Sequence, residues 1–167
     1  MGKVDIDGAD VSIDWMHHLV HHGKLFGLSL SATIGAAGSL KMHIKTPAAT
    51  VAKPVHFDCV INCSKAGVVL FREGDTITGG TGKTAFNYNR NSTRAFNSTL
   101  TQDSTVSAAG TVLKTFEIGT NAPPIRIGSE GEFREEFILK PSTTYTLQFT
   151  ADGADTLVSL NADMYED

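Results

Sequence analysis

The sequence predicts an all-β protein, a jelly-roll-like β-sandwich preceded by an N-terminal arm that has room for a short helix. Three observations predict it. From Gly23 onward, short runs rich in β-branched and aromatic residues alternate with clusters of Gly, Pro, Asn, Asp, Ser and Thr, the punctuation of strands and turns. Several runs alternate apolar and polar residues with a period of two, as a half-buried strand must. No stretch after residue 23 carries a sustained helical period.

Taken in order, the expected strands cover residues 24–31, 39–45, 54–62, 68–73, 84–88, 98–102, 111–118, 132–139, 143–150 and 157–165. In the second, Leu40, Met42 and Ile44 face one way and Lys41, His43 and Lys45 the other. In the ninth, Tyr145, Leu147 and Phe149 oppose Thr144, Thr146 and Gln148. Lys140-Pro141-Ser142 closes a strand, because proline cannot donate to a ladder. Ala151-Asp152-Gly153-Ala154-Asp155 predicts a tight hairpin, since Asp-Gly readily takes positive φ. Eight to ten strands in this length fit a jelly roll or a related sandwich.

The first 22 residues read differently and form the expected arm, with residues 23–167 as the sandwich domain. Asp14 is placed to cap a short helix over 15–22, with Gly23 as its stop. Arms of this kind often reach a neighbouring subunit.

Composition bounds the partners. A chain of 167 residues, 41% hydrophobic, can bury a core, and its net charge of -4 with scattered Lys and Arg argues against nucleic acid as a partner. No apolar run approaches the ~20 residues of a spanning helix, and the polar start Met1-Gly2-Lys3-Val4-Asp5 reads as neither a signal peptide nor a myristoylation site, so no membrane partner is expected. The only cysteines, Cys59 and Cys63, stand four apart on one expected strand, ~13 Å at strand rise. A disulfide needs Cα atoms within ~7 Å, so two buried free thiols are expected.

The chemical motifs favour structure over catalysis. Gly79-Gly80-Thr81-Gly82-Lys83-Thr84 lacks the first glycine of a phosphate loop, Ile77 standing there, and reads as a flexible hairpin loop. His17 with His21 and His18 with His22 have a helical spacing that can bind Zn or Ni, but His18 and Leu19 stand where a zinc protease needs Glu. The expectation is an exposed or interface patch, with no metal or cofactor. No Gly-x-Ser-x-Gly elbow occurs, Glu132, Glu135 and Glu136 beside Arg134 read as a solvated edge, and His43 and His56 are isolated from any His-x-His arrangement. The chain is therefore expected not to be an enzyme. Asn87-Tyr88-Asn89-Arg90-Asn91-Ser92-Thr93-Arg94 is the most distinctive polar tract, suited equally to subunit contact and to local stapling of a loop.

Phe86-Asn87-Tyr88-Asn89-Arg90-Asn91-Ser92 resembles a segment of small virion proteins of tailed bacteriophages. Similar patches follow in the same order: His22-Gly23-Lys24-Leu25-Phe26, Leu70-Phe71-Arg72-Glu73-Gly74, Phe137-Ile138-Leu139-Lys140-Pro141 with Tyr145, and Asp163-Met164-Tyr165-Glu166. The resemblance implies a capsid decoration, or cement, protein with a jelly-roll-like fold, made in the host cytoplasm and seated on the capsid exterior of the virion. Its implied partners are the major capsid protein and itself, as a homotrimer. It carries over no catalytic residues. On this expectation Trp15, Met16, Asn87, Tyr88, Arg90 and Arg94 are the candidate capsid or subunit contacts. The alternative is a head-fibre or tail receptor-binding module recognising host glycans.

Overall fold

The structure, a computed structural model, describes residues 3–6, 9–12, 15–119, 129–132 and 136–166, with side chains over 15–119 and 136–166. In chain order the elements are β1 (Lys3–Ile6), β2 (Ala9–Ser12), α1 (Trp15–His21), β3 (Leu25–Ile34), β4 (Ser39–Lys45), β5 (Val55–Cys63), β6 (Gly67–Glu73), β7 (Thr76–Thr78), β8 (Thr81–Lys83) and β9 (Phe86–Asn87). They continue with β10 (Thr99–Gln102), β11 (Thr105–Ala108), β12 (Thr111–Ile118), β13 (Ser129–Glu132), β14 (Phe137–Leu139), β15 (Thr144–Ala151) and β16 (Thr156–Glu166).

Two antiparallel sheets face each other. One runs β12-β6-β15-β4-β10-β8, the other β13-β5-β16-β3-β9 with β14 also pairing β5. The chain visits them in the winding of an eight-stranded jelly roll. Strands β3, β5, β13 with β14, and β16 build one wall, while β4, β6, β12 and β15 build the other. Residues 74–110 are an insertion between the neighbours β6 and β12, and its strands are shared out. Strands β8 and β10 widen one sheet beyond β4, β9 extends the other beyond β3, and β7 pairs with β11 as a separate ribbon. The insertion thus pairs the backbone edges that β3 and β4 would leave open.

The expected β-sandwich is therefore what forms, and strand alternation is its cause. Along β5, Val55, Phe57, Cys59, Ile61 and Cys63 are buried, while His56, Asp58, Val60 and Asn62 face outward. The free thiols of Cys59 and Cys63 lie on that inner row as expected, and burial pushes both up in pKa. Phe57 of one sheet stacks on Phe71 of the other with ring centres 5.3 Å apart, and Phe71 also meets Tyr145 and Phe137. Tyr145 reaches the rim of the core, where its hydroxyl donates to Glu73 Oε2 at 2.8 Å and accepts from the Lys140 amide at 2.8 Å.

Several local expectations are corrected. Residues 151–155 do not close a hairpin, because β15 and β16 belong to opposite sheets. The chain bends over residues 152–155 with neither Asp152 nor Gly153 at positive φ; both flanking strands must bury an apolar face on the same core, so the chain crosses over instead of pairing back. The positive φ falls at Asp155, at 53°. Residues 76–84 are not a free hairpin loop; β7 and β8 there pair with β11 and β10. Their Thr-rich sequence shows no alternation because most of their residues are exposed and are held by ladder bonds rather than burial. The strand expected over 84–88 shrinks to β9, and that over 132–139 divides into β13 and β14. The hairpin of β1 with β2 in the arm carried no readable period.

The insertion also covers the outer face of the first sheet. His43 and Thr146 point away from the core by alternation, yet both are 0% exposed, and Arg72 beside them is nearly so. The covering residues bond to this row. Asp75 accepts from Arg72 Nε at 3.0 and 3.1 Å, from the Gly110 amide at 2.7 Å and from the Thr146 hydroxyl. Burial pushes the Asp75 carboxyl up, but these bonds outweigh it and hold it below the usual carboxylate range. Because the single Thr146 proton goes to Asp75, the 2.9 Å bond between Thr146 Oγ1 and His43 Nδ1 needs Nδ1 as donor. His43 Nε2 then carries a buried lone pair with no partner among the described residues.

Protonating Nε2 would create a buried N–H with no acceptor. Burial therefore lowers the His43 pKa below 6.5, helped by Lys41 and Arg72 and opposed by Asp75 and Asp103. Below pH ~6.5 the unfolded chain takes up a proton that the folded one refuses, so stability falls as pH drops. The Asp75 carboxylate acts in a lower window, below 3.8, which separates the two groups. Stability measured by urea unfolding at about pH 7.5 and about pH 5 is expected to drop less in His43→Gln than in the parent chain. Equal drops would show that His43 does not carry the effect.

Candidate functional site

The outer face of the second sheet is open where the first is covered, and at one end it gathers exposed and half-buried aromatic and acidic side chains. Alternation puts Asp163 and Tyr165 of β16, and His56 and Asp58 of β5, on this face. Register places Asp163 directly opposite Asp58, and Tyr165 opposite His56. The Tyr165 ring stacks on His56 with centres 4.2 Å apart, and Glu136 accepts from both the Tyr165 hydroxyl and the His56 Nδ1.

Two elements wall this end. α1 brings Met16, which lines a shallow cavity of about 80 Å³ with Leu25, Phe57, Asp58, Glu136, Asp163 and Tyr165. From the other side β9 and the residue after it bring Phe86 and Tyr88, whose rings meet edge to face at 5.1 Å. The tip of the Phe86 ring approaches Gly27 so closely that a Cβ would stand 2.4 Å from its Cζ, so glycine leaves room for the ring on β3. Tyr88 donates to Asp163 Oδ1 at 2.6 Å. Burial first, and then this bond, pushes the Tyr88 hydroxyl up to about 12, so it stays a donor through neutral pH. Trp15 is 49% exposed, Met16 39%, Phe86 42% and Tyr88 40%. Of the other large exposed apolar residues, Ile138 stands opposite His56 on β14, Val112 and Leu113 are neighbours on β12, Leu157 is on β16, and Val51 lies between β4 and β5.

α1 is held firmly despite its seven residues. Leu19 is fully buried against the sandwich. Its C-terminus closes in a Schellman motif, with the Gly23 amide on Val20 O at 3.0 Å, the Lys24 amide on Leu19 O at 2.9 Å, and Gly23 at φ 63°. The helix expected over 15–22 ends at His21, while the capping role read for Asp14 lies outside the described residues. His17, His18, His21 and His22 are all exposed.

The polar tract divides in two. Tyr88, like Trp15 and Met16, is exposed. Asn87 is buried and donates through Nδ2 to Gly23 O at 2.8 Å and to Arg94 O at 3.3 Å, while its Oδ1 accepts from the Asn89 amide at 2.9 Å. Asn89 Nδ2 donates to His21 O at 3.1 Å. Arg90 reaches Asn87 O and Arg94 reaches Glu166 O, each at 3.4 Å. The bonds of Asn87, Arg90 and Arg94 therefore tie the tract to itself, to α1 and to the C-terminal strand.

Phe86, Leu25, His56, Glu136, Asp163 and Tyr165 were missed as site residues. Alternation along β5 and β16 signals which of them face outward, but their convergence depends on register between distant segments. Of the carboxylate group, Glu136 joins this surface; Glu135 and Arg134 lie outside the described residues. Among the described residues no group of three or more His, Cys, Asp or Glu is placed to hold a metal ion. No helix there is long and apolar enough to cross a membrane. The chain matches no protein-family model, no curated protein and no solved structure in comparison.

Asn87→Ala removes two donors and an acceptor from a buried position, and is expected to cost about 2 kcal/mol of unfolding free energy in urea. Arg90→Ala, at an exposed site with one long bond, should stay within about 0.5 kcal/mol.

Proposed function

We propose that the protein is a structural component of a virion, a capsid decoration protein that seats on the outside of a phage head and braces the shell. One observation carries this reading furthest. A jelly roll with an interior filled by side chains presents, at one end, a rigidly backed surface of exposed Trp15, Met16, Phe86 and Tyr88. Large aromatic residues on a stiff support are the usual anchors of protein–protein contact, because little side-chain entropy is lost when they are buried. The resemblance of Phe86-Asn87-Tyr88-Asn89-Arg90-Asn91-Ser92 to phage virion proteins falls on this same surface. Bound to assembled shells and not to free subunits, such a protein stabilises the shell by mass action, and many symmetric copies add avidity.

A second reading has its own support. Tyr88, Tyr165, Asp163 and Glu136 set aromatic faces beside hydrogen-bonding carboxylates, the pairing with which proteins hold sugar rings and hydroxyls. On that reading the chain is a receptor-binding module for host glycans.

Absolute mass by light scattering should give a trimer of the 17.8 kDa chain. Heads stripped of the protein should take it up again in co-sedimentation. The Trp15→Ala/Met16→Ala variant, which leaves the buried Leu19 in place, should bind roughly thirtyfold more weakly, the loss of about 2 kcal/mol typical of an interface anchor. A monomer that ignores heads but binds a glycan through Tyr88 would replace this reading with the second.

A further inference from the structure

Three of the seven residues of α1, together with the residue after it, are histidines that the contact surface does not use. His17, His18 and His21 lie on α1 and His22 follows it directly. Their imidazoles are paired across successive turns. His17 and His21 have ring centres 4.4 Å apart, and His18 and His22 have theirs 4.3 Å apart. All four are exposed, so an ion reaches them without opening the fold.

We propose that α1 is a transition-metal chelator, in which His17 with His21, and His18 with His22, each grip one borderline ion such as Zn²⁺, Ni²⁺ or Cu²⁺ through imidazole nitrogen. The chemistry selects the ion. Neutral imidazole suits these metals, whereas Mg²⁺ and Ca²⁺ take oxygen ligands. Two nitrogens at about 2.0–2.1 Å from a tetrahedral ion stand roughly 3.3 Å apart, and rings with centres this close reach that separation by rotating about their side-chain torsions.

Chelation also needs a backbone that holds the two rings together before the ion arrives. That backbone is fixed here by the buried Leu19, by the Schellman closure at Gly23, and by the donations of Asn89 to His21 O and Asn87 to Gly23 O. Such pre-organisation lowers the entropy lost on binding. One chain supplies two ligands per ion, consistent with the lack of any larger cluster among the described residues. The remaining coordination positions fall to water or to imidazoles of a second copy.

The sequence supplies its own reporter. Trp15 is the single tryptophan, and its ring stacks on His18 at 5.6 Å and 18°. A paramagnetic ion held by His18 and His22 therefore sits beside the indole and quenches its fluorescence. Capture of metal is read on the isolated protein, so it stands or falls independently of the virion role.

The test titrates the full chain with Ni²⁺ while following Trp15 emission. Saturable quenching is expected, reversed by EDTA and competed by Zn²⁺, with no response to Mg²⁺. Losing an outer-shell partner alone costs roughly 10–100-fold in metal affinity; removing a ligand by His18→Gln or His22→Gln should shift the midpoint at least that far. His17→Gln should leave this quenching nearly intact and remove one of the two ions counted by calorimetry. Because all four rings are exposed, a variant with all four changed to Gln should keep the parent melting temperature. Quenching undiminished in that variant, equal quenching by Mg²⁺, or none in the parent chain would overturn the proposal.

Discussion

The contact of Phe57 with Phe71 across the sandwich is the constraint on which the other features depend. It joins the two sheets at their inner rows, and Tyr145 and Phe137 extend it. An aromatic cluster of this size buries several hundred Å² of apolar surface, the dominant favourable contribution to folding. Once those rings face one another, strand alternation fixes which residues of β4, β5, β6, β15 and β16 point inward and which point out. Cys59 and Cys63 follow as inner-row residues, and Asp58, Asp163, His56 and Tyr165 follow as outer-row residues.

The two outer faces then diverge. Residues 74–110 fold over one of them and turn a row that would meet water into a buried polar network of His43, Thr146, Arg72 and Asp75. Such a network is costly unless satisfied, and all but the His43 Nε2 of that group finds a partner. The other face stays open and is edged instead by α1 and β9, which raise aromatic residues around an acidic floor. The asymmetry places a buried polar network on one side of the molecule and exposed aromatic and acidic side chains on the other.

Asparagine ties together the two elements that edge the second face, α1 and β9. Asn87 ends β9 and Asn89 lies in the irregular backbone that follows, where their side chains bond to main-chain groups in place of a continuing ladder. The same bonds fasten the end of α1. In a polar tract that reads from sequence as either a contact or a staple, Asn87 and Asn89 make staple bonds, while Tyr88, Arg90, Asn91, Thr93 and Arg94 are exposed.

Much of the framework was legible in the sequence. Period-two alternation marked β4 and β15, proline and glycine marked the ends of strands, and the spacing of Cys59 and Cys63 excluded a disulfide, because these signals are local consequences of backbone geometry. The shorter strands β7, β8 and β11 were not legible, since exposed residues held only by pairing leave no hydrophobic period. Tertiary structure alone decided that the connection over residues 152–155 crosses between sheets, that His43 is buried on a nominally outer row, and that Asp58 faces Asp163. Each of these depends on which distant segments become neighbours, and strand pairing is settled by the whole core at once rather than by any run of adjacent residues.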